Sequence, residues 1–519
     1  VKNYLPSEFI LSMQHPVGIV AHRADVANLI PHAIRAVLDG ERVLIVPHGL
    51  DEVRLLRNLG IDAPLPILTR YDWNGLKPYE AQRETAAMLS VERAAYVLNQ
   101  FGTGKTRAAL FAFDYLRSIH RAERMLVAAP LSTLTMTWQN EIRENFPHLR
   151  SVVVHGDREQ RIQMLEADFD IYIINHDGVR VFWQEILLVR ADVVCIDELT
   201  AFKNSRAARS KAMAKVIAPA PYRWGMTGAP TPQGPEDAHG QVRLITPDNV
   251  PRSFVRWRDK VMLKVSQFKY VPRAGANEIV HEAMSPAVRF ERADVVELPP
   301  LSILRRHVEM SSKQKDTYEQ VMKNLRAQVD EGEVTVANEA VKLNKLLQIS
   351  SGFVYTTDSA AALLDPKPRL ETIDEVMQEA QAKVLIFAPF IAGVDLIHAY
   401  LTGIWGLAAF GKITGETSPA KRNEIFDAFR DPSSAMLGIV AHPRTMSHGL
   451  NLQAADMIIW GAPYPSLETY EQANARITRP GQTKKQVIVQ IIGSPVEAKV
   501  YQRLDHRASM QNALLEMFQ

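Results

Sequence analysis

The sequence predicts an α/β protein of two parallel-sheet lobes with a cleft between them, preceded by a small N-terminal α/β domain. Three observations carry that reading. Short apolar stretches alternate with helical periodicity in two blocks, from Leu76 to Ile245 and again from Lys383 to Val489. Strands buried on both faces, with helices covering the sheet, produce that pattern. A glycine-rich string, Phe101-Gly102-Thr103-Gly104-Lys105-Thr106-Arg107, follows one strand and opens a helix, and a second strand, Val193–Ile196, ends in Asp197-Glu198.

A chain of 519 residues has room for about three domains at roughly 150 residues each. Its 46% hydrophobic and 23% charged residues are those of an ordinary globular protein. The net charge of +2 means that any affinity for nucleic acid must come from local patches. Cys195 stands alone in an apolar strand, which excludes an internal disulfide and a cysteine-rich zinc site and reads as a core residue. The fifteen histidines show no ligand spacing. No apolar run approaches the roughly 20 residues of a membrane span. The stretch VKNYLPSEFILSMQ has no secretory pattern, so a cytoplasmic location is expected.

In chain order, residues 1–70 form the accessory domain. Val17–Ala21 reads as a strand, Ala24–Leu38 as an amphipathic helix, Val43–Val46 as a strand and Asp51–Leu59 as a short helix, with Ala63-Pro64-Leu65-Pro66 leading out. Residues 71–245 form lobe 1, with strands at Ala95–Leu98, Met125–Ala129, Val152–Val154, Ile171–Ile174 and Val193–Ile196. Residues 246–300 read as an irregular, basic connection in which Arg252, Arg256, Arg258, Lys260, Lys264, Lys269 and Arg273 interleave with Phe254, Trp257, Phe268 and Tyr270. Residues 301–519 form lobe 2 with a helical insertion, its strands at Val384–Phe387, Leu437–Val440, Met457–Trp460 and Val487–Val489.

Glycines at 102 and 104 let backbone N–H groups approach phosphate oxygens at a helix N-terminus. Lys105 neutralises β/γ charge, and the Thr106 hydroxyl suits Mg²⁺. The string lacks the first glycine of the general phosphate-loop pattern, where Asn99 stands. Asp197 and Glu198 sit at the C-terminal tip of a buried strand, where parallel sheets place ligands. There Asp197 would hold the metal through water and Glu198 would orient the attacking water. Arg476 and Arg479 stand three apart, so both reach one face and could enter the cleft.

These strings fall in an order that resembles superfamily 2 helicases and, within them, the SNF2-type double-stranded DNA translocases, from Leu76 to Leu504. Leu76-Lys77-Pro78-Tyr79-Glu80-Ala81-Gln82 resembles the adenine-reading Q motif, with Gln82 as its glutamine. Ala129–Leu134 with Trp138–Ile142 is similar to motif Ia. Asp197–Asn204 resembles the acidic block, but Leu199-Thr200 departs from it and the usual coupling histidine is absent. Met226-Thr227-Gly228-Ala229-Pro230-Thr231 is similar to motif III. Arg289–Val295 with Leu298-Pro299-Pro300 resembles the stretch leading into lobe two, and Lys383–Phe387 resembles motif IV. Ser447–Asp456, with Gly449 and Asn451, resembles motif V. Gln472-Ala473-Asn474-Ala475-Arg476-Ile477-Thr478-Arg479-Pro480-Gly481-Gln482 resembles motif VI in its SNF2 form.

The resemblance implies two RecA-like lobes with ATP and Mg²⁺ between them. Gln82, Gly102, Thr103, Gly104, Lys105 and Thr106 would bind ATP; Lys105, Glu198, Arg476 and Arg479 would act in hydrolysis. Thr227, Gly228, Gly449, Asn451 and Gln472 would couple the ATP site to the track. The implied partner is duplex or branched DNA, the implied form a monomer, and the implied setting a bacterial or phage-infected cell. A strand-separating DNA or RNA helicase and an ATP-gated binding module are the alternatives. Arg256, Lys260 and Lys264 either track phosphates or form a solvated face. The N-terminal domain either selects a substrate or protein partner or serves as a scaffold for lobe 1.

Overall fold

The computed structural model describes residues 8–266, 269–292, 294–295, 301–330, 336–356, 361–380, 382–446, 452–478 and 484–518. The N-terminal domain is an antiparallel sheet of β1 (Phe9–Leu11), β2 (Val17–Ala21), β3 (Ile34–Leu38) and β4 (Glu41–Pro47) in the order β1-β2-β4-β3. The helix expected over Ala24–Leu38 is a correction: it covers only Ala24–Leu29, and the rest becomes β3. Pro31 cannot continue a helix. Asp39 and Gly40 both take positive φ (51° and 85°), the hairpin turn that joins β3 to β4.

This sheet is not a loose appendage. Val20, Val46, Val53 and Leu56 share one apolar cluster with Leu89, Phe111 and Trp224 of lobe 1. The Pro-rich exit is packed as well: Ala63, Leu65, Pro66 and Ile67 are all buried.

Lobe 1 contains β5 (Ala94–Val97), β6 (Met125–Ala129), β7 (Ser151–Val153), β8 (Ile171–Asn175), β9 (Val193–Asp197) and β10 (Tyr222–Met226). A hairpin of β11 (Met262–Lys264) and β12 (Tyr270–Pro272) lies outside the main sheet, and β13 (Ala287–Val288) joins it at the edge. The sheet order is β13-β5-β10-β9-β6-β8-β7, and all its pairs are parallel. Parallel strands end on one side, so the turns that leave β5, β9 and β10 meet at a single edge.

The segment expected to be irregular over 246–300 is also corrected. It carries the helices Phe254–Val261 and Ala276–Ala283, and Trp257, Val261, Met262 and Val280 are buried in the second lobe-1 cluster. Apolar residues at helical spacing among the basic ones bury one face and leave the other to solvent.

Lobe 2 begins with β14 (Leu301–His307). The helices Ser312–Asp330 and Val336–Ser350 and a hairpin of β15 (Phe353–Tyr355) and β16 (Ala361–Leu363) come next. Its sheet adds β17 (Lys383–Phe387), β18 (Phe410–Ile413), β19 (Gly438–Ala441), β20 (Ala455–Trp460) and β21 (Gln486–Ile492). The order is β14-β21-β20-β17-β19-β18, again with parallel pairs. The C-terminal helix Pro495–Glu516 leaves lobe 2 and returns to lobe 1, where Leu514 and Leu515 join the second cluster. Among the described residues, no helix is long and apolar enough to cross a membrane.

Candidate ATP site at the lobe seam

The loop after β5 turns back on itself through Gly102 (φ 88°) and Gly104 (φ 82°), a left-handed backbone that glycine adopts without strain. Helix Lys105–Ser118 starts there, so its positive end faces the loop. A Cβ on Gly104 would run into the Gln82 side-chain amide, so Gln82 lies directly over the loop. Gln82 is buried at the start of helix Glu80–Val91, and its Oε1 accepts from the Tyr79 N–H at 3.1 Å. Thr103 is buried and donates to Gln100 O at 2.9 Å, while Thr106 is half-buried in the first turn of the helix.

Lys105 Nζ donates to Asn99 O at 2.7 Å and to Gln100 O at 3.3 Å. Burial pulls its pKa below the usual lysine range, and the nearby Glu198 and Asp197 charges oppose that shift. Asp197 ends β9. Its Oδ2 accepts from Trp138 Nε1 at 3.0 Å and its Oδ1 from the Glu198 N–H at 3.1 Å. Glu198 takes a left-handed φ of 52°, which breaks the strand direction at the sheet edge. Burial, then the neighbouring Asp197, pushes its pKa above the carboxylate range. Glu198 Oε2 is buried without a hydrogen-bond partner.

Only β10 separates β5 from β9, and the turn after it carries Thr227 and Gly228. Thr227 is fully buried, and its hydroxyl accepts from the Ala229 N–H at 3.2 Å. A Cβ on Gly228 would come within 3.0 Å of the Phe101 ring, so this turn packs against the phosphate loop.

Lobe 2 supplies the facing wall with helix Leu467–Asn474 and the turn after it. Gln472 and Arg476 are buried, and Arg476 Nε donates to Gln472 O at 3.1 Å. Gln472 Nε2 is buried without a hydrogen-bond partner. Arg476 is near enough to Glu198 to draw its pKa down, against the larger upward push of burial. Among the described residues, hydrogen bonds cross the seam beside these groups. Thr200 Oγ1 donates to Glu468 Oε1 at 2.9 Å, and Arg292 Nη1 donates to Thr478 O at 2.9 Å. Burial also raises the pKa of Glu471, to about 7, where its Oε2 accepts from Gln511 at 3.2 Å.

Thus Gln82, Gly102, Thr103, Gly104, Lys105, Thr106, Asp197, Glu198, Thr227, Gly228, Gln472 and Arg476 converge on one seam. Gly449, Asn451 and Arg479 lie outside the described residues. Sequence reasoning named Trp138, Asn99, Arg292 and Thr200 within their strings but gave none of them its partner at the seam, and it missed Glu468. Trp138, in the helical turns after the strand-end Pro130, was the one with a local signal, because buried indole N–H groups need acceptors.

The basic segment divides. Arg256, Lys260 and Lys264 are exposed and lie away from the seam residues in sequence and element. Trp257 is wholly buried, so it packs in the core and offers no stacking face. Tyr270 is half-buried beneath the Arg258 guanidinium, 4.2 Å from its ring centre, and Phe268 lies outside the described residues.

Residues 89–353, about half of the chain, match the model of the SNF2-related domain, and residues 368–481 match the helicase conserved C-terminal domain. Protein p41 of Acyrthosiphon pisum secondary endosymbiont phage 1 is 26% identical over 80% of this chain and 93% of its own length. The mouse SWI/SNF-related matrix-associated actin-dependent regulator of chromatin subfamily A member 1 is 23% identical over 80% of this chain. The chain spans only 41% of that regulator. Among solved structures, the Sulfolobus solfataricus SWI2/SNF2 ATPase core in complex with dsDNA is 21% identical, with a TM-score of 0.42. It covers 85% of this chain and 94% of its own.

Proposed function

The chain belongs to the SNF2-related ATPases and hydrolyses ATP, and from that premise we propose that it is a motor moving along or remodelling duplex or branched DNA. The observation that carries this reading is the seam itself. A phosphate loop and an acidic pair from lobe 1 face a buried arginine from lobe 2, so chemistry depends on how the lobes sit.

The residues fit ATP with Mg²⁺. Gly102 to Thr106 offer backbone N–H groups at a helix start, and Glu198 Oε2 is an orphaned buried acceptor at the seam. Thr106 and, through water, Asp197 would hold the ion, which screens phosphate charge when bound. Gln82 would read the adenine edge above the loop. Lys105 would leave its backbone carbonyls for the β/γ oxygens, which outcompete neutral acceptors for a cation. Glu198 would orient the attacking water and take its proton, because its raised pKa makes it a better base than an exposed carboxylate. Arg476, joined by Arg479, would stabilise the charge that spreads over the transferring phosphoryl group. Thr227, Gly228, Gly449, Asn451 and Gln472 would relay lobe position to the track.

Lobe opening and closing would advance the protein along DNA by contacts made mostly to phosphates, so binding should be salt-sensitive and largely indifferent to sequence. Exposed Arg256, Lys260 and Lys264 support one part of that surface. The test is ATP turnover titrated with duplex DNA, single-stranded DNA and RNA. The reading expects strong duplex stimulation and triplex displacement with little unwinding of forks. Efficient fork or RNA unwinding would replace it with a strand-separating helicase. Turnover indifferent to all three would leave an ATP-gated binding module.

A further inference from the structure

A strand-like segment runs beside β5 and continues past its end to the phosphate loop. Tyr96 N–H donates to Pro286 O at 3.0 Å, Leu98 N–H to Val288 O at 2.8 Å, and Gln100 N–H to Phe290 O at 3.0 Å. Side chains fill in the ladder. Arg289 Nη1 donates to Leu98 O at 2.7 Å, Phe290 N–H to Asn99 Oδ1 at 3.0 Å, and Arg292 N–H to Gln100 Oε1 at 2.9 Å. Asn99, standing where the general pattern has glycine, is buried, and its Nδ2 donates to Thr85 Oγ1 at 2.9 Å.

Arg292 closes the run. Its Nε donates to Phe101 O in the phosphate loop and its Nη1 to Thr478 O in lobe 2, each at 2.9 Å. A Cβ on Gly102 would lie 3.7 Å from Arg292 Nε and 3.8 Å from Thr478 O, so loop, guanidinium and lobe 2 meet in one place. The same segment then carries the chain from lobe 1 to β14, the first strand of lobe 2.

We propose that residues 286–292 form a tie linking the position of lobe 2 to the shape of the phosphate loop, with Asn99, Gln100 and Arg292 as its positioning residues. A guanidinium bonds two carbonyls at a fixed angle, which a lysine ammonium on a flexible stem does not reproduce. Coupling of this kind is reciprocal: nucleotide that orders the loop also favours docking of lobe 2, and docking strengthens nucleotide binding by the same factor. The tie deepens the motor reading but rests only on its ATP-binding part.

The experiment is amide hydrogen exchange on the full chain, with and without a slowly hydrolysed ATP analogue and Mg²⁺. In the wild type, nucleotide slows exchange at 102–106 and also at 286–292 and 476–478. In Arg292→Lys and in Asn99→Ser, slowing persists at 102–106 but is lost at 476–478, and analogue affinity falls about fivefold to tenfold, the worth of one or two hydrogen bonds. A merely structural role lowers protection equally with and without nucleotide and leaves that difference intact. Wild-type-like nucleotide-dependent protection at 476–478 in both variants overturns the tie, as does its absence from the wild type. No nucleic acid enters this test, so failure of the DNA reading shows separately, in the turnover titration.

Discussion

Lobe 1 meets the seam with the ends of parallel strands, whereas lobe 2 meets it with the flank of one helix and the turn beyond it. Strand ends present backbone groups and short, fixed side chains. Asp197 already has both oxygens bonded, and the loop glycines are held in their turn. The helix wall presents longer groups: Glu468 and Glu471 have pKa values raised by burial, and Gln472 has an unpartnered amide nitrogen, as Glu198 on the strand wall has a raised pKa and an unpartnered oxygen. The glycine loop and Asp197 are therefore a preformed binding surface. Glu198 and the helix wall become favourable only when something charged or polar lies across from them.

Substitutions on the two walls should separate these roles. Lys105→Ala and Arg476→Ala should each lower turnover by about 10³ or more. Only Lys105→Ala should also weaken binding of a labelled ATP analogue strongly. Equal loss of binding in both variants would erase the distinction between the walls.

Glu198→Gln should retain nucleotide and lose about 10²–10⁴ in kcat. Because burial raises the Glu198 pKa, wild-type kcat should climb with pH as the carboxylate forms. The glutamine variant should give a flat profile, and a surviving climb would assign the base elsewhere.

The exposed basic face offers a test away from both walls. Arg256→Ala, Lys260→Ala and Lys264→Ala combined should reduce the salt slope of duplex binding by about 3, with turnover at saturating DNA little changed. An unchanged slope would return these residues to an ordinary solvated face.

The smallest effect concerns stability on the lobe 2 wall. Glu471 rises from the ordinary 4.5 to about 7 in the folded protein. The folded state thus keeps a proton that the unfolded chain releases, and stability falls as pH climbs through that window. Glu471→Gln should raise Tm by a few degrees at pH 8 and hardly at all at pH 5. A gain equal at both pH values would point to packing instead.

Most of the lobe 1 wall is legible in the sequence because its function is local. A strand leading into Gly-x-Gly-Lys-Thr specifies a turn and a helix start within a few residues, whatever surrounds them. Sequence reading fails where locality fails. Ala24–Leu38 has helical spacing, but Pro31 and the Asp39-Gly40 turn let the second half pair with β4 instead. The strand β10, Tyr-Arg-Trp-Gly-Met, escapes a sequence reading because its polar and glycine residues hide an apolar pattern that becomes clear only inside the sheet. Trp257 looks available among basic neighbours, yet helical phase turns it into the core.

By itself the sequence determined two α/β lobes, the phosphate loop, the acidic strand end and the arginine-bearing string opposite them, since each depends on neighbours a few residues away. Tertiary structure decided what holds those pieces in register. Asn99 and Phe290 stand 191 residues apart, and Thr200 and Glu468 stand 268 apart. Hydrogen bonds of that reach have no local periodicity or spacing, and only tertiary folding brings their donors and acceptors within about 3 Å.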